Sequence, residues 1–227
     1  MDKQNTRNGS AAADEAAVTW RPETVRKRWE GHESQFEGHG VARLLLRRYR
    51  KYVGRDVLDV GAGMGGPLRL LPRAIGLDLA PRQPRSIGGD MCLAPFRDAA
   101  FDTVFSIEVL EHLSGDRLGQ GLGEIRRVLR PGGHAILVTP YREPLARRMT
   151  VCPHCGTKFH WLGHVHSFDE ESLAAAVRDA GLTVVATQVL HLTFKGQHRL
   201  LGAFSFLLAP MGLHQPKNMV MVAHRPA

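Results

Sequence analysis

Two groups of residues have the types and spacing that chemistry needs. The first is CPHCGTKFHWLGHVH, residues 152–166, with two of the chain's three cysteines and four of its twelve histidines. Cys152 and Cys155 are separated by two residues, the gap that lets both sulfurs face one ion, and Gly156 permits the tight turn after them. His160 and His164 are four apart, close to the histidine half of a Cys2His2 site. Four ligands within residues 152–164 would close a tetrahedron around Zn2+ and leave no open position. The expected ion is therefore structural, and its binding energy would fold a segment too short for its own core. His166 is the alternative fourth ligand. A redox pair, an incidental pair, or a catalytic metal acting on a thiol are the competing readings.

The second group is Asp59-Val-Gly61-Ala-Gly63-Met-Gly65-Gly66, directly after the apolar run Val57–Val60. Glycines there let the backbone turn sharply and approach a ligand closely. Gly61, Gly63 and Gly66 satisfy the dinucleotide pattern G-x-G-x-x-G, a weak signal by itself. Three acids sharpen it. Asp59, two residues before the first glycine, could order the loop and attract a ligand ammonium, where a pyrophosphate would be repelled. Asp78 ends the next apolar run and can accept both hydroxyls of a ribose. Asp90 ends the third and can accept from an adenine amino group, with Met91 beside the base. Each acid is expected at the carboxyl end of its strand, the edge where open α/β sheets bind ligands. Singly they read as turn or cap residues; together they describe an adenosine carrying an amino acid.

The elements that must position these groups follow from periodicity. Helices are predicted over Pro22–Trp29 and Phe36–Tyr52. Strands are predicted at 57–60, 74–77, 86–89, 101–106 and 134–138, alternating with helical patterns, which argues for a parallel sheet with crossover helices. Leu118, Leu122, Ile125 and Leu129 keep helical spacing, and Pro131-Gly132-Gly133 should stop that helix. Ser167-Phe-Asp-Glu170 reads as a capping box before a helix that buries Leu173, Val177 and Ala180. Leu182–Leu190 and Asn218–Ala223 read as two further strands. About seven residues join the second and third strands, too few for a full crossover helix.

VLDVGAGMGG (57–66), AIGLDLAP (74–81), GDMCLAPFRDAAFDTVFSIEVLEHL (89–113) and EIRRVLRPGGHAILVTPY (124–141) together resemble the class I S-adenosylmethionine-dependent methyltransferases. The likeness is to the small-molecule type, similar to quinone-biosynthesis enzymes. It implies an α/β, Rossmann-like, seven-stranded and mostly parallel sheet with helices on both faces and the last strand antiparallel. It implies that Gly61 and Gly63 pack on the methionine part of the cofactor, Asp78 on the ribose, and Asp90 and Met91 on the adenine. Ile107, Glu108 and His112 would lie beside the cofactor, and Asp59, Ala62 and Leu79 complete the expected set. For a hydroxyl acceptor a general base would help; Glu111, His112 and Tyr141 are the catalytic candidates. The zinc segment then lies after strand five, where such enzymes insert substrate-recognition elements.

The expected organisation is a disordered tail over 1–18, N-terminal helices over 19–54 covering the cofactor site, and a methyltransferase domain over 55–227 with a zinc-binding lid at 140–166. The formal charge is +8, but the basic residues are scattered and flank a helix, as a solvated face does. Nucleic acid is thus a secondary expectation, kept as the alternative of an RNA or protein methyltransferase gripping a polymer. A non-catalytic binding module and, least favoured, an NAD-dependent dehydrogenase are the other classes. No apolar run is long enough for a membrane span. Arg199–Leu208 could roof an acceptor pocket, touch a membrane surface, pack as a buried helix or make a dimer contact. The N-terminus has no signal-peptide core, and three cysteines make no disulfide framework, so a cytoplasmic monomer or homodimer is expected. The leading reading is methyl transfer to a small-molecule acceptor at oxygen, with nitrogen or carbon as alternatives.

Overall fold

The computed structural model describes residues 22–29, 39–190, 192 and 218–227. The tail over 1–18 and the apolar run Arg199–Leu208 lie outside the described residues. The first elements are α1 (Pro22–Trp29) and α2 (His39–Arg48), whose Val41 and Leu45 keep helical spacing and are buried, followed by a 3-10 turn at Arg50–Tyr52. Then come β1 (Val57–Val60), α3 (Gly66–Leu70), β2 (Ala74–Asp78), β3 (Ser86–Gly88), β4 (Phe101–Ile107), α4 (Arg117–Val128) and β5 (Leu129–Pro140). The chain continues through the short strands β6 (Met149–Val151) and β7 (Lys158–His160), α5 (Glu170–Asp179), β8 (Thr183–Leu190) and β9 (Asn218–His224).

Seven strands form one sheet in the order β3-β2-β1-β4-β5-β9-β8. β3, β2, β1, β4 and β5 are parallel, and β9 runs antiparallel between β5 and β8. This is the mostly parallel, Rossmann-like architecture expected from the sequence. Its centre is covered on both sides, so the central strands read as continuous apolar runs rather than alternating ones. The two-residue pleat divides them: Leu137, Met219 and Met221 join α4 and α5 residues in one core layer, whereas Ile136, Val138, Val220 and Val222 join α2 and α3 residues in the other.

Some boundaries differ from expectation. Leu129 leaves α4 and enters β5, pairing with Phe101 across a bulge, so the helix stops before Pro131-Gly132-Gly133. The capping box is formed by Asp169 and Ser172, two residues later than predicted. Phe168 is buried and bridges Tyr141 in parallel, which holds the backbone extended past Ser167. No helix occupies residues 79–85. Arg85 replaces its anchoring by donating to the carbonyls of Leu68, Leu71, Pro72 and Ala74 at the end of α3. No described helix is long and apolar enough to cross a membrane.

Candidate functional site

β1 delivers the glycine loop to the carboxyl edge of the sheet. Gly61 and Ala62 donate their N–H groups back to Leu77 O on β2, which folds the loop over the strand ends. Gly61, Gly63 and Gly65 all have positive φ, where a side chain is strained. A Cβ on Gly61 would lie 2.3 Å from Val109 Cγ2, so the loop seats against the residue that leaves β4. A Cβ on Gly63 would meet nothing nearer than Gly61 O at 3.9 Å, which leaves that backbone face open to a ligand.

The three acids lie around this loop. Asp78 accepts from Gly63 N and Ala80 N at 2.8 Å each, so it orders the loop and keeps further lone pairs for hydroxyls. Leu79 follows it at the same edge. Asp59 is 2% exposed, and its Oδ2 has no hydrogen-bond partner. Burial and, secondarily, the charge of Asp78 push its carboxyl well above the usual range. A buried acceptor of this kind suits an incoming ammonium. Asp90 accepts from Cys92 N at 2.9 Å and from Arg117 at 2.6 Å. Burial opposes its charge, but these partners hold its carboxyl below the usual range. Met91 is buried beside it at the start of a 3-10 turn. The orphaned Asp59 oxygen, the open Gly63 face and the ordered Asp78 fit S-adenosylmethionine.

The exit of β4 carries the second half of the site. Ile107 closes the strand, and Glu108 takes φ +56, rare for a side chain other than glycine and a form of strain that functional sites often hold. Asn218 donates to Glu108 Oε1 at 2.7 Å from the adjoining end of β9. Glu111 is fully buried, with no hydrogen-bond partner on either oxygen. Its near polar neighbours include the Glu108 carboxyl. Burial pushes both carboxyls up, and the negative charge of Glu108 adds to the rise at Glu111.

The inserted segment folds onto this exit. Val165 N and His166 N donate to Glu111 O, at 2.8 and 3.3 Å, and His166 Nε2 bonds Leu113 O at 2.7 Å. His112 Nδ1 meets Gly163 O at 3.1 Å; a carbonyl can only accept, so the proton sits on Nδ1 and the lone pair on Nε2. His164 Nδ1 bonds the Glu143 carboxylate, and its Nε2 lies 4.0 Å from Glu111 Oε1. His164 packs against His112 and His160 at ring separations of 4.7 and 4.8 Å. Burial opposes the charge of Glu143, while His164, His160 and Arg148 hold its carboxyl below the usual range.

This arrangement separates the four residues expected to hold zinc. Cys152 and Cys155 occupy the turn of the β6–β7 hairpin, with Gly156 N donating to Cys152 O at 2.9 Å. His160 and His164 instead turn inward toward Glu143. Among the described residues, the two groups with metal-ligand spacing are Glu111–His112–His164 and Glu143–His160–His164, and neither contains a cysteine. His160 pairs with Met149 at the base of this hairpin, opposite the turn that carries the cysteines.

Of the catalytic candidates, Glu111 and His112 belong to the buried cluster. Tyr141 stands at its margin, bridging Phe168, and burial together with Glu170 raises its phenol above the usual value. Glu143 and Asn218 were missed as site residues. Glu143 lies 21 positions from His164, with no local motif to mark it. The cysteines differ in reactivity. Cys155 is exposed and held below the usual range by Thr157, whereas burial pushes the Cys92 thiol up to about 11. Limiting iodoacetamide at about pH 8 should label Cys155 well before Cys92. Equal labelling in a peptide map would contradict this geometry.

A doubly wound sheet of this order, with a glycine loop and acids along its carboxyl edge, defines the class I, S-adenosylmethionine-dependent methyltransferase fold. The family described as "Methyltransferase domain" matches residues 29–187, and the chain belongs to that family. A relative named "Probable S-adenosylmethionine-dependent methyltransferase" from Mycolicibacterium smegmatis is 32% identical over 166 residues, 67% of this chain and 60% of its own length. Methyltransferase GfsG of Streptomyces halstedii is 31% identical over 199 residues, 77% of this chain and 70% of its own. A solved Burkholderia thailandensis 1,6-didemethyltoxoflavin-N1-methyltransferase, with bound 1,6-didemethyltoxoflavin and S-adenosylhomocysteine, superposes with TM-score 0.62 at 19% identity. That superposition covers 98% of this chain and 94% of the other. The chain spans 60% of the length of the first of these relatives.

Proposed function

We propose that the chain transfers a methyl group from S-adenosylmethionine to a small organic acceptor, at oxygen by preference over nitrogen or carbon. When bound, this cofactor supplies a methyl group already activated by a positive sulfur. The observation that supports it is the seating of the glycine loop on Val109, the residue between Glu108 and the group Glu111, His112 and His164. Asp59 would hold the cofactor ammonium; Gly61, Ala62 and Gly63 the methionine part; Asp78 and Leu79 the ribose; Asp90 and Met91 the adenine. Ile107, Glu108 and His112 border the transfer site. Little further covalent chemistry is needed beyond aligning the acceptor and excluding water.

The cluster supports a small acceptor. Glu111 is fully buried and His164 is 6% exposed, so only a small group could reach them past residues 161–168. A buried cluster of a carboxyl and two imidazoles suits a hydroxyl that must lose its proton. Three free cysteines also suit a reducing cytoplasm.

Calorimetry with S-adenosylhomocysteine, followed by transfer of radiolabelled methyl into fractionated cell extract, tests this reading. Binding of the product and label in the small-metabolite fraction are expected. Label confined to RNA or protein would replace the acceptor class, and absence of binding would remove the reading altogether.

A further inference from the structure

We propose that Glu111, His112 and His164 bind one divalent transition-metal ion, with Glu143 as the outer partner that orients His164. One ligand atom from each of the three residues lies within 4.8 Å of the other two. A tetrahedral ion with bonds near 2.0–2.1 Å needs donors roughly 3.3 Å apart. The three must therefore close by at most about 1.5 Å, which side-chain rotation can supply.

The hydrogen bonds decide between the two groups of suitable spacing. A metal-bound imidazole ligates through one nitrogen and donates from the other to a carbonyl or carboxylate. His112 has this form, with Nδ1 on the Gly163 carbonyl, and so has His164, with Nδ1 on Glu143. In the neutral rings Nε2 is then the nitrogen with ligating character. His160 has the reverse arrangement: its Nδ1 accepts the backbone N–H of His164 at 3.1 Å, so in the neutral ring the proton sits on Nε2. The Glu143–His160–His164 group would have to break that bond to ligate.

A second observation points to a ligand at the same place. Glu111 is fully buried beside the Glu108 carboxyl, and neither of its oxygens accepts a well-placed N–H or O–H. A buried carboxyl whose near neighbour is another carboxyl is costly to leave uncompensated, and a cation between it and two imidazoles would compensate it. Two imidazoles and one carboxylate suit Zn2+, Co2+ or Fe2+ better than Mg2+ or Ca2+, and three protein ligands leave a position open. That position would receive the acceptor's oxygen, a part of the proposal that rests on the methyl-transfer reading; the ion site itself does not.

The test uses the full chain, stripped with chelator and titrated with Co2+. About one ion per chain should bind, with ligand-field absorption and no thiolate charge-transfer band. Cys152→Ser/Cys155→Ser should bind equally well. Glu143→Gln should bind roughly 10- to 100-fold more weakly, and Glu111→Gln at least as weakly again. A thiolate band, or loss of the ion in the double cysteine variant, would overturn the assignment, as would a wild-type chain that takes up no ion. The wild-type spectrum decides this even if a variant misfolds. S-adenosylhomocysteine calorimetry on the same sample separates the two readings. Product binding without metal uptake sinks only the ion site, and metal uptake without product binding sinks only the methyl-transfer reading.

Discussion

Asp59→Asn is expected to stabilise the cofactor-free protein at neutral pH while removing most of its affinity for S-adenosylhomocysteine. The Asp59 carboxyl is buried in β1 with Oδ2 unpartnered, and burial with the nearby Asp78 pushes its pKa well above the ordinary value. The folded state therefore binds a proton that the unfolded state has released. Its stability falls as pH rises from the ordinary carboxylate range through the raised folded value, and the full penalty is present above it. Asparagine carries no charge to desolvate, so the variant should lose this slope. A gain of roughly 1–2 kcal/mol, or about 2–8 °C in melting temperature, is the expected scale. The same charge is what an ammonium would meet, and a hydrogen bond to a charged group is worth about 1.5–3 kcal/mol, so affinity should fall roughly 10- to 100-fold. Melting curves across pH, paired with calorimetry, read both signs. A variant that melts lower and binds as tightly would show that Asp59 serves the strand and not the ligand.

Gly61→Ala is expected to damage both folding and transfer. The residue has φ +67, and a left-handed backbone costs an L side chain about 1–2 kcal/mol. The new methyl would also stand 2.3 Å from Val109 Cγ2, well inside contact. Relieving such overpacking costs about 1–3 kcal/mol more, for a total of roughly 2–5 kcal/mol in urea denaturation. The overlap and the backbone strain can be separated. Val109→Ala added to Gly61→Ala should recover the overlap part and leave the φ part. If the single variant unfolds like wild type, the loop does not seat on Val109, and the link between cofactor edge and acidic cluster is lost. Displacing Val109 also moves Glu108 and Glu111 on either side of it, so transfer should fall further than stability does.

The legible part of the site is local in the chain. The glycine loop after β1, Asp78 at the end of β2 and Asp90 at the end of β3 each announce themselves within a few residues. A strand running into glycines has few ways to continue, and its acids can only emerge at the edge where the strand stops. The histidines were legible as chemistry but not as partners. Metal-ligand spacing along CPHCGTKFHWLGHVH suggested that Cys152, Cys155, His160 and His164 meet, whereas the hairpin sets the cysteines at its turn and sends both histidines toward Glu143. Glu143 and Asn218 had no signal at all. Their roles depend on which chain segment crosses the exit of β4, which no local pattern encodes.

Sequence alone determined the doubly wound sheet, its antiparallel end and the edge that takes the cofactor. Apolar periodicity and glycine conformation act over only a few residues and indicate the parallel strands and their carboxyl edge. The seven-stranded count and the antiparallel end came from the resemblance of 57–66, 74–81, 89–113 and 124–141 to class I methyltransferases. The tertiary structure alone decided which ionisable groups share a space. Residues 161–168 lie on the backbone of Glu111 and Leu113, about fifty positions earlier in the chain, and so bring two histidines, one on each segment, to the same buried carboxylate. Contacts of that separation are set by packing and burial across the whole domain, and side chains buried by distant segments acquire protonation states and partners that their neighbours in sequence do not dictate.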